Sequence, residues 1–280
     1  MKEVNRIVTS REFKVMLKSD LFRDREAGRD AMWALVKSIV VKNGGTAKQD
    51  DKEIRRTTWY LDTPELELRQ RHGYILRVRE EKDSIKKYKF TLKYRDGDRY
   101  VSASKDTSFT DDLSFHYDAR GDEISPKFEE DIVPEFQSKF SNSTSVETDE
   151  SRKIDSVGAA AELYSGLGLL DIPLDTPIRI VRGFQAHEVA VWLGKLKFGG
   201  EKVKSALSFW YLSDEEQGPP LVAELSFDYD LPKDYTEELE RYPLDLVEGA
   251  DALFEAMLQT TWVSRGATTK TSYAYEGSSS

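Results

Sequence analysis

The chain has 280 residues, 39% of them apolar and 33% charged, with a formal net charge of −10 at pH 7. That length fits one large domain or two small ones, and the acidic balance argues against non-specific nucleic-acid binding, which needs a basic surface. Cysteine is absent, which excludes disulfides, thiolate metal sites and thiol nucleophiles, and the three histidines, His72, His116 and His187, lack metal-ligand spacing.

In chain order, residues 7–17 read as a strand with Ser10, Glu12 and Lys14 on one face and Phe13, Val15 and Leu17 on the other. Residues 24–42 read as an amphipathic helix. Ala31, Leu35 and Ile39 lie on one face, Trp33, Val36 and Val40 widen the stripe, and Gly44-Gly45 ends it. Residues 49–56 are polar and lead into an aromatic strand at Trp59, Tyr60 and Leu61, with Trp59 expected to pack a sheet. The turn Asp62-Thr63-Pro64 offers a capping side chain and a first-turn proline. A short helix over 65–71 follows, and Gly73 is placed to end it in the left-handed conformation. Residues 74–79 form a strand with Arg77 and Arg79 on one face, about 7 Å apart by strand rise. Two guanidiniums so placed suit an anion with several oxygens. Residues 86–95 form a second basic strand with Lys89, Thr91 and Lys93 on one face. As antiparallel neighbours the two strands gather four cations, which repel unless an anion or acids lie between them.

Residues 96–126 read as turns with a weak strand, and 127–136 as a strand in which Lys127, Glu129 and Asp131 alternate. Residues 137–153 are rich in serine and threonine and read as a loop or insertion. A short helix over 157–169 is closed by Gly166 and Gly168. Five strand-like runs follow: 178–182 with Arg179 and Arg182, then 184–193, 195–198, 202–212 beyond a Gly199-Gly200 turn, and 221–229 with Glu224, Ser226 and Asp228 on one face. Residues 245–263 read as a helix burying Leu246, Ala250, Leu253 and Met257, and the tail 276–280 reads as disordered. No apolar run approaches the ~18 residues of a membrane-crossing helix, and the N-terminus has no signal-peptide core. The expectation is a cytoplasmic chain with no membrane attachment.

At least five strands repeat one pattern, with charged or polar groups at period two on a shared face. A surface sheet would show it once or twice. Its recurrence predicts an α+β fold in which a β-barrel has a polar-lined interior and helices cover the outside. Opposite charges inside one cavity offset each other's burial.

The segment Tyr60, Asp62, Thr63, Gly73, Leu76, Arg77, Arg79 resembles the "Y-x-D-T … G … L-R-x-R" stretch of the CYTH superfamily, or triphosphate tunnel metalloenzymes, which includes thiamine and inorganic triphosphatases. Thr91-Leu92-Lys93 is similar to that family's Thr-Leu-Lys, Glu12-x-Lys14 to its opening Glu-x-Glu-x-Lys, and Lys270-Thr271-Ser272-Tyr273 to its terminal Ser-Tyr motif. Three positions depart from the pattern. Ser10 replaces the first acid, Ser226 breaks the late Glu-x-Glu, and Lys204 and Ser205 stand where an Asp is usual. The resemblance covers the whole chain. It implies a closed or nearly closed antiparallel barrel of about eight strands, a tunnel domain over 1–275 with insertions near 96–125 and 137–155.

The resemblance further implies a triphosphate-containing small molecule as partner. Arg77, Arg79, Lys89, Lys93 and Arg182 would hold its phosphates. Carboxylates among these cations imply Mg²⁺ or Mn²⁺, with Glu12, Glu129, Glu224 and Asp228 as oxygen ligands that should converge. Lys14 would contact substrate or, with a depressed pKa, help deprotonate water. The leading expectation is metal-dependent hydrolysis of inorganic tripolyphosphate or an organic triphosphate. Alternatives are a class IV adenylyl cyclase and a non-catalytic polyphosphate- or nucleotide-binding module with a degenerate metal site. No sequence feature bears on the oligomeric state.

Overall fold

The structure is a computed structural model and describes residues 7–50, 52–81, 83–110, 122–231, 244–266 and 269–277. Residues 111–121 of the expected turns, which include His116, and 278–280 of the expected tail lie outside the described residues. The strands are β1 (Ser10–Leu17), β2 (Thr46–Gln49), β3 (Glu53–Asp62), β4 (Tyr74–Glu80), β5 (Tyr88–Asp96), β6 (Glu123–Val133), β7 (Gln137–Thr148), β8 (Arg179–Phe198), β9 (Glu201–Tyr211) and β10 (Val222–Asp230). The helices are α1 (Arg25–Lys42), α2 (Glu67–Gln70), α3 (Arg99–Ser104), α4 (Val157–Leu163), α5 (Leu244–Leu258) and α6 (Lys270–Glu276).

Nine of these strands close on themselves in the order β8-β3-β4-β5-β7-β6-β1-β10-β9, with β9 returning to β8, and β2 adds to the edge of β8 outside the ring. The expected α+β barrel with flanking helices is therefore present. It has nine barrel strands among the described residues rather than about eight, and β1 runs parallel to β6 while every other pair is antiparallel.

Period two decides which side chains fill which space. Phe13, Val15 and Leu17 of β1 point outward and are buried under α1 and α5, with Phe13 stacked on Phe227 at 4.8 Å. Glu12, Lys14 and Met16 point into the barrel. α5 buries Leu246, Ala250, Leu253 and Met257 as its spacing predicts. α1 starts where Asp24 accepts from the Ala27 N–H, but its buried stripe is Met32, Trp33, Val36 and Val40. Ala31 is exposed, so the apolar face is rotated from the expected one. Trp33 sets that rotation: its ring fills the space over Gly194, where a Cβ would come within 2.4 Å.

On the opposite side Leu76, Val78, Phe90, Leu92 and Val146 form a second outer core under α2 and α4, with Trp59 packed against it as expected. Asp62 and Thr63 cap α2, Asp62 accepting from the Leu68 and Arg69 N–H groups and Thr63 from that of Glu67. Gly73 follows at φ 76°.

Three expectations are corrected. The serine-rich stretch read as a loop is strand β7, seated between β5 and β6. Its serines read as turn residues, yet Ser141, Ser143 and Ser145 stand opposite the lumen-facing side chains of β5 and β6 and leave the lumen open. Asn142, Thr144 and Thr148 are buried on the outer face. The runs 178–182, 184–193 and 195–198 are one strand, β8, which absorbs irregularities at Arg182-Gly183, both with positive φ, and between Trp192 and Gly194. Residues 96–110 contain the unexpected helix α3, started by Asp98 accepting from the Tyr100 and Val101 N–H groups. No described helix is long and apolar enough to cross a membrane.

Candidate functional site

The barrel interior is a cavity of about 850 Å³. Nine lysines and arginines line it against seven acids, with Asp131 buried directly behind them as an eighth, a small local cationic excess in a chain of net charge −10. Small side chains leave the space: Ala190, Ala206 and Ser208 face inward where larger residues would fill it. α6 sits over one end, where the Tyr60 ring meets Tyr275 at 5.9 Å and Thr271 lies 3.5 Å from the Tyr60 hydroxyl. At the other side of the lining, the Pro134–Phe136 turn contributes all three of its residues.

Two buried carboxylates organise the cations. Asp131, fully buried, takes Lys14 at 2.6 Å, Arg95 at 2.8 Å and Lys93 at 3.6 Å, and accepts from the Ser141 hydroxyl. Burial alone would raise its carboxyl, but Lys14, Lys93 and Arg95 together hold it well below the usual carboxylate range. Glu188, also buried, accepts from Arg56 Nε at 2.7 Å, Thr58 at 3.0 Å, Ser208 at 2.6 Å and Lys270 at 3.2 Å, with Arg79 Nε at 3.7 Å. Its carboxyl too is held far down by Arg56, Lys270 and Arg79 against the opposing effect of burial.

Between these groups stand the two arginines singled out by the sequence. Leu76 and Val78 turn outward, which aims Arg77 and Arg79 inward. The Nε atoms of both are buried without a hydrogen-bond partner among the described residues. Burial first, then Arg56 and Arg77, push the Arg79 guanidinium down to about 9. Burial and the neighbouring Arg95 and Lys14 likewise push the Lys93 amine to about 8, despite Asp131 and Glu129. Arg79 and Lys93 share their acids, Glu188 and Asp131, with other cations, and Arg77 has no acidic partner among the described residues.

Glu12, Lys14, Arg77, Arg79, Lys93, Glu129, Glu224 and Asp228 all line the cavity as expected. Two predicted residues do not. Arg182 is exposed on the irregular turn of β8, and its guanidinium donates to the Tyr273 carbonyl. Lys89 stands opposite Arg79 but is turned to Glu147, outside the lining. The depressed pKa expected of Lys14 is not present: burial lowers its amine, but Asp131 at 2.6 Å and Glu12 at 2.5 Å outweigh burial and hold it above the ordinary lysine value.

The four expected metal ligands do not gather. Among the described residues no three acidic or histidine side chains form a group able to hold a metal. Glu224 pairs with Lys270 at 2.9 Å, four residues along β10 from Asp228, about 13 Å at strand rise. Glu129 accepts from Ser10 and faces Lys127 and Lys93. Glu12 and Asp228 do meet, directly opposed across the β1–β10 ladder.

Burial, and next the Glu12 charge, push the Asp228 carboxyl up to about 6, with Lys204 at 3.7 Å a weak counterweight. A folded-state value above the ordinary one favours the protonated form in the fold. The resulting stabilisation is full below the ordinary Asp value and is lost as pH rises through about 6. Thermal melts should therefore show Asp228→Asn more stable than wild type at pH 8 and level with it near pH ~4. A gap that does not widen with pH would contradict this account.

Sequence reading missed Arg56, Arg95 and Glu188. Arg56, Thr58 and Tyr60 alternate in β3, a signal hidden by treating 49–56 as a polar lead-in. Glu188 is an acid set in an otherwise apolar run with small alanines at period two, Ala186 and Ala190.

The barrel is the fold implied by the resemblance to the CYTH superfamily. No protein-family model matches the chain, and no curated protein matches it. Solved structures do. A Hippeastrum protein carrying an adenylyl cyclase assignment and a dominant triphosphatase activity is 14% identical over 97% of both chains, with a TM-score of 0.48. A Vibrio parahaemolyticus protein assigned as an adenylate cyclase is 14% identical over 89% of this chain and 90% of its own, with a TM-score of 0.34. A Pyrococcus horikoshii protein is 12% identical over 94% and 96%, also with a TM-score of 0.34.

Proposed function

We propose that the lumen binds the phosphate chain of a triphosphate-containing small molecule in the cytoplasm and, with Mg²⁺ or Mn²⁺, hydrolyses it to release orthophosphate. The observation that carries this reading is the pair of buried Nε atoms on Arg77 and Arg79 that make no hydrogen bond among the described residues, in a cavity lined by nine lysines and arginines. Arginine meets phosphate oxygens in a fixed fork, and each such contact is charge-assisted. Lys93 adds a point charge beside them, and Lys14 keeps Glu12 and Asp131 in place.

The Glu12–Asp228 pair fits a magnesium-type ion, which is usually bound through one or two carboxylates and completes its octahedron with waters and substrate phosphates. Bound there, such an ion supplies charge to phosphoryl oxygens and acidifies water. The chain's own contribution is orientation and charge stabilisation, which is most of what phosphoryl transfer asks of a protein.

A second reading is a polyphosphate-binding module without turnover. It is favoured by the absence of a three-acid cluster among the described residues. A panel of tripolyphosphate, ATP and other triphosphate esters with Mg²⁺ or Mn²⁺, with orthophosphate and pyrophosphate read separately, decides between them. The expected result is orthophosphate release that stops in EDTA. Turnover persisting in EDTA would refute the metal assignment, and cyclic AMP with pyrophosphate from ATP would identify a cyclase. Binding without turnover under every cation would establish the module.

A further inference from the structure

We infer that Glu188 is a positioning residue of the anion site: a buried counter-anion that holds Arg56, Arg79 and Lys270 as one preformed receptor at one end of the phosphate chain. The inference rests on the triphosphate reading above. Its three cations come from β3, β4 and α6, and Glu188 on β8 contacts all three. Both carboxylate oxygens are fixed. Oε2 accepts from Arg56 Nε and Thr58, and Oε1 accepts from Ser208 and Lys270. Because Glu188 uses only the Nε of Arg56, the two Nη groups of that side chain remain for an anion. A neutral group of the same shape would keep the volume but leave Arg56 and Arg79 to repel each other beside a Lys270 held by Glu224 alone, and the long side chains would spread.

The register gives this receptor a specific task. On the β4–β5 ladder Lys93 stands opposite Ile75, two residues before Arg77, and Arg79 lies two residues after it. The cations held by Asp131 and those held by Glu188 therefore flank Arg77 from opposite sides, about 13 Å apart along the strand at backbone level. A chain of three phosphates engages both sets. A pyrophosphate needs Arg77 and one set, and the Asp131 set remains to it when the other is disordered. Glu188 thus contributes to discrimination by chain length, an effect that general destabilisation of the barrel would not produce.

Calorimetric titration of the full chain with inorganic tripolyphosphate and with pyrophosphate, both without metal, tests this. E188Q should lose about tenfold or more in tripolyphosphate affinity while its pyrophosphate affinity stays within about threefold of wild type. E188D, which keeps the charge, should recover part of the lost ratio. If E188Q does not fold, the double variant Thr58→Val with Ser208→Ala serves. It keeps the charge but frees the carboxylate, and should lower the tripolyphosphate-to-pyrophosphate preference in the same direction. An unchanged preference in whichever variant folds, or an equal loss for both anions, overturns the inference and leaves the triphosphate reading standing. Failure of the wild-type chain to bind either anion overturns both.

Discussion

Asp131→Asn is expected to cost the fold about 3–5 kcal/mol, the range seen when one partner of a buried ion pair is removed. The carboxylate is fully buried and is shared by Lys14, Lys93 and Arg95, so a neutral amide leaves three cations with reduced compensation. Glu129 and Glu12 lie nearby but already serve Lys127 and Lys14. Urea denaturation of both chains at pH 7 measures the difference, and a loss below about 1 kcal/mol would refute the account. Its pH dependence has a definite sign. The Asp131 carboxyl is held below its ordinary value, so its contribution is present above that value and is lost as pH falls through the lower folded-state value. The gap between wild type and variant should close in acid.

Arg77→Ala should behave in the opposite way. Arg77 has no acidic partner among the described residues, and its Nε is buried without a hydrogen bond, so little folding energy depends on it. Its loss should leave the denaturation midpoint unchanged or slightly raised. Tripolyphosphate affinity should fall by about 1.5–3 kcal/mol, or roughly 10- to 150-fold, because a charge-assisted contact is removed. Arg79, tied to Glu188, should show a mixture of both effects. Calorimetry together with denaturation separates the cases, and an Arg77→Ala chain that binds normally would remove the central cation from the site.

The contrast between these residues explains what was legible in the sequence. Glu12, Lys14, Arg77, Arg79, Lys93 and Asp228 were found because they lie on short strands whose neighbours alternate cleanly, so facing could be read from period two alone. Arg182 was misplaced because β8 is interrupted by Gly183 at φ 65°, beside Arg182 at φ 55°, and period counting fails across such a break. β7 was missed because its polar residues fall on both faces. Its serines stand opposite lumen-facing partners, while Asn142 and Thr144 bond to Thr107 and to backbone carbonyls outside. A strand with two polar faces has no alternation to detect. The role of Glu188 was illegible for another reason: its partners arrive from β3, β4, β9 and α6, and only closure of the ring brings them together.

The lone parallel pair, β1 with β6, follows from parity. Strands that reverse direction at every step can close a ring only in even numbers, and nine is odd, so one step must fail to reverse. The exception falls on β1, the first of the described strands, whose two neighbours lie more than a hundred residues away. Neighbouring hairpins such as β4–β5, β6–β7 and β8–β9 can form locally, but β1 has no local partner. One of its edges pairs with β6, and the other stays open until β10 joins it. Closure of the cavity therefore rests on pairings between residues far apart in sequence, which predicts slow folding relative to a barrel of successive hairpins.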